Sequence, residues 1–482
     1  FNNNKFKENK MRKDSDFLGE CELEDSVYYG VQTLRAMRNF AVSEVSHYEM
    51  DEYIKSVAYI KKAAVLANHE CGAISEQICE AVCKAADEVV AGKLGENFPI
   101  DVFQGGGGTS TNMNVNEVIA CRANELITGK KGYDVVHPNT HVNMGQSTND
   151  VIPAAMKMSV HANLLKLGES LKHFETALSK KQKEHENALR LGRTCLQDAV
   201  PMTFGQYFSG YVSLAKRMKA KFSTLLDEAS ELPLGATAIG TSLSVHEGYL
   251  SKVYEKLNLV TGKKFKMEEN LFDGLQNADF YIEISANLKR LATTLSKIAT
   301  DFRILSSGPR AGINELNLPA VQPGSSIMPG KVNPVIPELI NQIGYQICGN
   351  DVAITMAVEG GELDLNVWEP VIIKNLCESF KLLQNGLIIF ADKCIDGLEP
   401  NEQICAKFAN DSTALSSIFG YKVGTKVARK AFEEDKSVKE VVLELKILKP
   451  DEADEALDPF VMIYPQKSAS IIKKYKKLYD LA

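Results

Sequence analysis

At 482 residues the chain exceeds a single compact core, and 44% hydrophobic with 24% charged residues is the balance of a globular protein. A net charge of −7 argues against a nucleic-acid or anionic-membrane surface, and no apolar run approaches the ~20 residues of a membrane span. Ten cysteines, scattered without a Cys-x-x-Cys pair, read as reduced thiols and point to the cytoplasm.

The opening FNNNKFKENK is polar, has no initiator Met and lacks the apolar stretch of a signal peptide, so residues 1–10 are expected to be an expression remnant or an upstream extension. Residues 52–92 are predicted helical, with Val57, Ile60, Ala64, Leu66 and Ala67 at 3–4 spacing. Cys79 and Cys83 fall four apart on that stretch and, with no zinc-like spacing nearby, read as small apolar residues.

A Gly-rich break follows at 98–111. It holds QGGGGTSTNMN (104–114), where four glycines let backbone approach a ligand and Thr109, Ser110, Thr111 and Asn112 offer donors and acceptors. The G-K-[ST] ending of a phosphate loop is missing, and a helix cap accounts for the polar residues as well as a ligand does. The second break, 137–150, ends in GQSTND. Its Ser147, Thr148 and Asn149 suit a carboxylate or an ammonium, and again suit capping of the next helix equally.

That next helix is predicted at about 153–190, long enough for an elongated bundle, with further helices at about 205–230, 283–306, 335–358 and 371–395. Between the stretches 283–306 and 335–358 lies GSSIMPGKVNP (324–334), too rich in Gly and Pro for a regular element. Its free N–H groups and Lys331 make a concavity for an anion. Asn333 before Pro334 is also what a plain helix cap would present. Beyond about 400 the elements shorten, with two short helices expected at 437–459 around Lys449-Pro450. The reading is mainly α in three domains: 1–148, 149–403 with the long helices, and 404–482.

The string GSSIMPGKVNP resembles the signature of the aspartase/fumarase superfamily, and the resemblance runs from about Phe17 to about Ile463. LGATAIGT (234–241), LSSGPRAGINELNLP (305–319) and GRTCLQDAVPMT (192–203) resemble its aspartate ammonia-lyases most closely. The resemblance implies a central bundle of five helices per chain, assembled into a twenty-helix core in a homotetramer whose active sites are shared between subunits. It implies elimination of ammonia from L-aspartate to give fumarate through an aci-carboxylate, with no cofactor and no metal. Its partners would be these small molecules and further copies of itself, with no nucleic acid and no membrane.

By the same resemblance Ser325 is the general base, and Lys331 and Asn333 hold a carboxylate. Thr109, Ser147, Thr148, Asn149 and Thr194 bind substrate, and Ser326, Cys195 and Glu338 stand at possible site positions. Fumarases of the family carry His where this chain has Cys195, paired with a Glu matching Glu338. Losing hydroxide from malate needs a proton donor, whereas ammonia leaves as a neutral molecule. Cys195 therefore favours the ammonia-lyase over the alternative, a class II fumarate hydratase. A catalytically inactive structural paralogue is the remaining alternative, and the presence of both Ser325 and Lys331 counts against it. Thr140 replaces the Asp usual in the family's HPNDHVN segment, so no second dicarboxylate site is expected there. Glu362 and Asp364 stand where neutral Gln is common, and would disfavour a dianion unless they face solvent.

Overall fold

The computed structural model describes residues 10–475, so the expected extension at 1–10 lies, save for Lys10, outside the described residues. The fold is mostly helical. Two compact units divide the chain. Of the described residues, the first comprises 10–168, 220–292 and 345–383; the second comprises 169–219, 293–344 and 384–475.

In the first unit a hairpin, Met11–Asp16 with Gly19–Glu24, precedes the helices Val31–Asn39, Asp51–Glu70, Glu76–Val90 and Thr109–Thr128. The expected stretch 52–92 is thus two helices. Gly72, at φ 76°, ends the first in a conformation that Gly tolerates, and the Ser75 hydroxyl accepts from Ile78 N to start the second. Val57, Ile60, Ala64 and Ala67 of Asp51–Glu70 are fully buried, as the periodicity requires. Helix Val31–Asn39 has no side-chain cap of its own. The buried Glu117 supplies one from a distance, accepting from the backbone of Gly30, Gln32 and Thr33 and from the Thr33 hydroxyl.

The five long helices predicted from the sequence are present as Thr148–Glu184, Phe204–Glu228, Asp279–Leu305, Val335–Glu359 and Glu369–Phe390. The helix expected at 153–190 starts earlier and stops earlier. Its last residues belong instead to an antiparallel hairpin of the second unit, Leu189–Thr194 with Gln197–Thr203. Short β-rich ribbons of this kind carry too few residues to register against a helical background.

Short helices dominate the end of the second unit: Tyr421–Glu434, Val438–Glu444, Pro450–Ala456, Pro459–Ile463 and Pro465–Lys474. They gather around Leu415, Phe419, Val427, Val441 and Val442. Ser437 and Glu440 form a reciprocal capping box, and Pro opens three of the five helices at positions where a missing N–H costs nothing.

Candidate active site

In the first unit the break before Thr109–Thr128 is built from backbone that only glycine adopts readily. Gly106, Gly107 and Gly108 have φ of 87°, 57° and 80°. A Cβ on Gly108 would sit 3.0 Å from the Ile152 side chain, and one on Gly107 would meet Val367 at 3.7 Å, whereas Gly106 faces open space. Gly108 therefore makes room for Ile152, a Cβ on Gly107 would meet only an ordinary contact, and Gly106 leaves the outer face clear. Thr109 is exposed, and its hydroxyl donates to Gly106 O at 2.8 Å.

Behind Thr109 the polar run turns inward. Lys61 is fully buried and donates to Asn112 Oδ1 at 2.7 Å, Asn143 Oδ1 at 3.0 Å and Gln146 Oε1 at 2.9 Å. Asn112 Nδ2 donates in turn to Thr148 Oγ1 at 3.2 Å, which joins two of the predicted segments at their helix starts. Burial pushes the Lys61 ammonium down to about 7, against the pull of the Asp150 carboxylate. Burial likewise pushes Asp150 up to about 6, although it accepts from Ser147 N, Gly235 N and Thr237 N. Asn114 is also spent internally: Nδ2 donates to Asn97 O at 2.8 Å, and Oδ1 lies 3.0 Å from Nε2 of the buried His47.

Asp150 thus ties GQSTND to LGATAIGT, and Asn149 does so again by donating Nδ2 to Ala238 O at 2.8 Å. Pro153, inside Thr148–Glu184, has no N–H to offer the Asn149 carbonyl, so that acceptor is left outside the helical ladder. Ser147 Oγ accepts from Asn149 N at 3.2 Å. The sequence reading missed Lys61 and Asp150. The signal for Lys61 was present: at i+4 from Val57 and i−3 from Ala64 it sits on an otherwise apolar face.

The second unit holds the other candidates. Thr194 ends the first strand of the hairpin and pairs with Gln197. Cys195 and Leu196 form its tip at φ 53° and 61°, the twist of a two-residue primed turn built here without Gly or Asn. Thr194 and Cys195 are exposed. Arg193 anchors the strand by donating to Glu315 Oε1 at 2.8 Å, and Glu315 is itself fully buried.

The loop 324–334 closes on itself. Gly324 N donates to Lys331 O at 2.7 Å, Lys331 N to Met328 O at 3.3 Å, and Asn333 Nδ2 to Gly324 O at 2.9 Å. A Cβ on Gly324 would lie 2.7 Å from Asn333 N, so the closure requires Gly there. Inside this ring the Ser325 hydroxyl oxygen accepts from Ile327 N at 3.2 Å and Met328 N at 2.9 Å. Two N–H groups aimed at one oxygen favour its negatively charged form. Ser326 and Lys331 are exposed, and among the described residues no carboxylate pairs with the Lys331 ammonium. The Asn333 side chain closes the loop instead of capping the next helix, which begins one residue after Pro334, at Val335. Glu338 lies in its first turn. Glu362 and Asp364 are both exposed.

Residues 19–349 match the family model described as Lyase, and residues 412–464 match Fumarase C C-terminus. An aspartate ammonia-lyase of Helicobacter pylori is 44% identical over 97% of this chain and 100% of its own length. Those of Bacillus subtilis and Escherichia coli are 44% and 41% identical, covering 95% and 96% of this chain and 97% and 98% of theirs. Among solved structures, a fumarate lyase:delta crystallin from Brucella melitensis bound to cobalt superposes with a TM-score of 0.92 at 40% identity, over 95% of this chain and all of the other. A class II fumarase from Schistosoma mansoni gives 0.90 at 37%, with the same coverage. The chain belongs to the fumarase/aspartase superfamily of lyases.

Proposed function

We propose that the chain is an aspartate ammonia-lyase, which reversibly eliminates ammonia from L-aspartate to give fumarate. The observation that carries this reading is the Ser325 oxygen receiving two backbone N–H groups. Removing the proton next to a carboxylate needs a strong base and builds a doubly charged aci-carboxylate. A serine oxygen serves as that base only where its alkoxide is stabilised, and donors at 2.9 and 3.2 Å supply this. Lys331 and Asn333 bind a carboxylate in this reading. Thr109, Ser147, Thr148, Asn149 and Thr194 are the further substrate-binding residues in this reading, and Ser326, Cys195 and Glu338 stand at possible site positions. The amine enters as an ammonium and leaves as ammonia, so no acid is needed at Cys195. Support comes also from the whole-length relatives named aspartate ammonia-lyase.

The hydratase reading has one point in its favour, the likeness to a class II fumarase. Fumarate absorbance after mixing with L-aspartate, and separately with L-malate, decides between them. Fumarate from aspartate alone is the expected result; fumarate from malate alone would overturn it.

A homotetramer with shared active sites, a central bundle of five helices per chain and the division 1–148, 149–403 and 404–482 complete the proposal. Support for assembly is an apolar stripe on Val335–Glu359: Tyr345, Val352 and Met356 are 68%, 58% and 69% exposed at positions seven and four apart. Light scattering after gel filtration should give four chains, and a monomer would refute it. A cytoplasmic setting is in keeping with ten cysteines that are all unbridged.

A further inference from the structure

Cys79 and Cys83 lie four residues apart on helix Glu76–Val90, and of the ten cysteines no other two have that spacing. Cys79 is 5% exposed, with its thiol directed to Val65 O at 3.9 Å, and Cys83 is partly exposed. The two thiols act on each other: Cys83 lowers Cys79 below an ordinary thiol, and Cys79 together with burial raises Cys83. The Lys62 ammonium and the Asp87 carboxylate, ion-paired at 2.6 Å, both act on Cys83, in opposite directions.

Two geometric facts narrow what such a pair can hold. Residues four apart on a helix have Cβ atoms about 5–6 Å apart. A disulfide needs about 3.5–4.5 Å, so direct S–S closure would have to open the helix. Inserting one atom between the sulfurs removes that conflict. Zinc would need about four ligands, and among the described residues no group of three or more His, Cys, Asp or Glu could hold a metal. A pyramidal centre that takes only two sulfurs from the protein fits both limits.

We propose that Cys79 and Cys83 form a dithiol site for trivalent arsenic carrying one organic substituent. With phenylarsine oxide, both thiols add to arsenic, two As–S bonds form, and the oxide oxygen leaves as water with the two thiol protons. Nothing is oxidised or reduced. One thiol adds first, and the other then closes the ring. The second bond is intramolecular, which makes the adduct resist monothiols and yield only to dithiols.

The test uses the full chain with phenylarsine oxide in excess 2-mercaptoethanol, read by intact-mass spectrometry. One phenylarsenic per chain should survive, and 1,2-ethanedithiol should strip it. Cys83→Ser and Cys79→Ser should each lower the retained adduct about tenfold or more. Cys83 is partly exposed, so Cys83→Ser should keep the wild-type far-ultraviolet circular dichroism and carries the test alone if Cys79→Ser misfolds. No adduct on the wild-type protein, or an undiminished one on Cys83→Ser, would overturn the proposal.

Discussion

The candidate residues are held in two opposite ways. Around Lys61 the side chains are buried or half-buried and bonded to partners far along the chain: Asn112 is 51 residues away, Asn143 82 and Gln146 85. The loop 324–334 is largely exposed and bonded to itself, through Gly324, Ser325, Met328, Lys331 and Asn333. The first arrangement fixes the starts of two helices whatever happens at the surface. The second aims two N–H groups at the oxygen of Ser325, the base in the proposed reaction, and makes these hydrogen bonds within its own loop, as a segment that closes over substrate needs to. One region should therefore fail through stability and the other through rate.

Ser325→Ala breaks the comparison most strongly on the reactive side. It should cut fumarate formation by about 10²–10⁴-fold or more, with circular dichroism and gel filtration unchanged. Appreciable residual activity would remove Ser325 from the role of base. Lys61→Met attacks the other side. It strands three amide oxygens in a buried site and should lower stability by about 2–4 kcal/mol in urea unfolding. A variant as stable as the parent would mean that water replaces the ammonium.

The pH response sharpens the contrast, because other buried groups of the first unit titrate with folding. Burial holds His47 down at about 4 against an ordinary 6.5. The unfolded chain then takes up the proton first, so this contribution to stability is lost as pH falls from about 6.5 to about 4. Glu117 opposes it: burial lifts its carboxyl to about 7 from 4.5, so the folded form binds the proton first and gains stability as pH falls through that window. His47→Gln should flatten the acid loss of stability, and Glu117→Gln should steepen it, as followed by melting temperature across pH. Identical slopes in both variants would refute the assignment. The smallest effect is expected at the hairpin tip. Cys195→Asn suits the left-handed φ of 53° better and should add a few tenths to about 1 kcal/mol; a loss would mean the thiol makes a contact that outweighs the backbone gain.

Much of this architecture is legible in the chain. Long runs at 3–4 spacing give all five long helices, because the helical period is a local property that neighbouring side chains enforce. The glycines of QGGGGTSTNMN and GSSIMPGKVNP mark their loops, and their positive φ or close approach at Gly106, Gly108 and Gly324 supplies the reason. The break at Gly72 and the hairpin at 189–203 escaped that reading. A single Gly in a long periodic stretch is a weak stop, and a hairpin whose tip is Cys195-Leu196 lacks the Asn-Gly signal that announces such turns.

The sequence alone determined the helical class, the positions of the loops and, through its motifs, the superfamily. The tertiary structure decided which polar residues face outward and which are consumed inside. Thr109 and Asn112 sit in one run of similar residues, yet the first is exposed and the second is held by Lys61. The reason is physical: propensity and periodicity act over one or two turns, whereas a buried amide or ammonium is stable only where a distant segment supplies its hydrogen bonds.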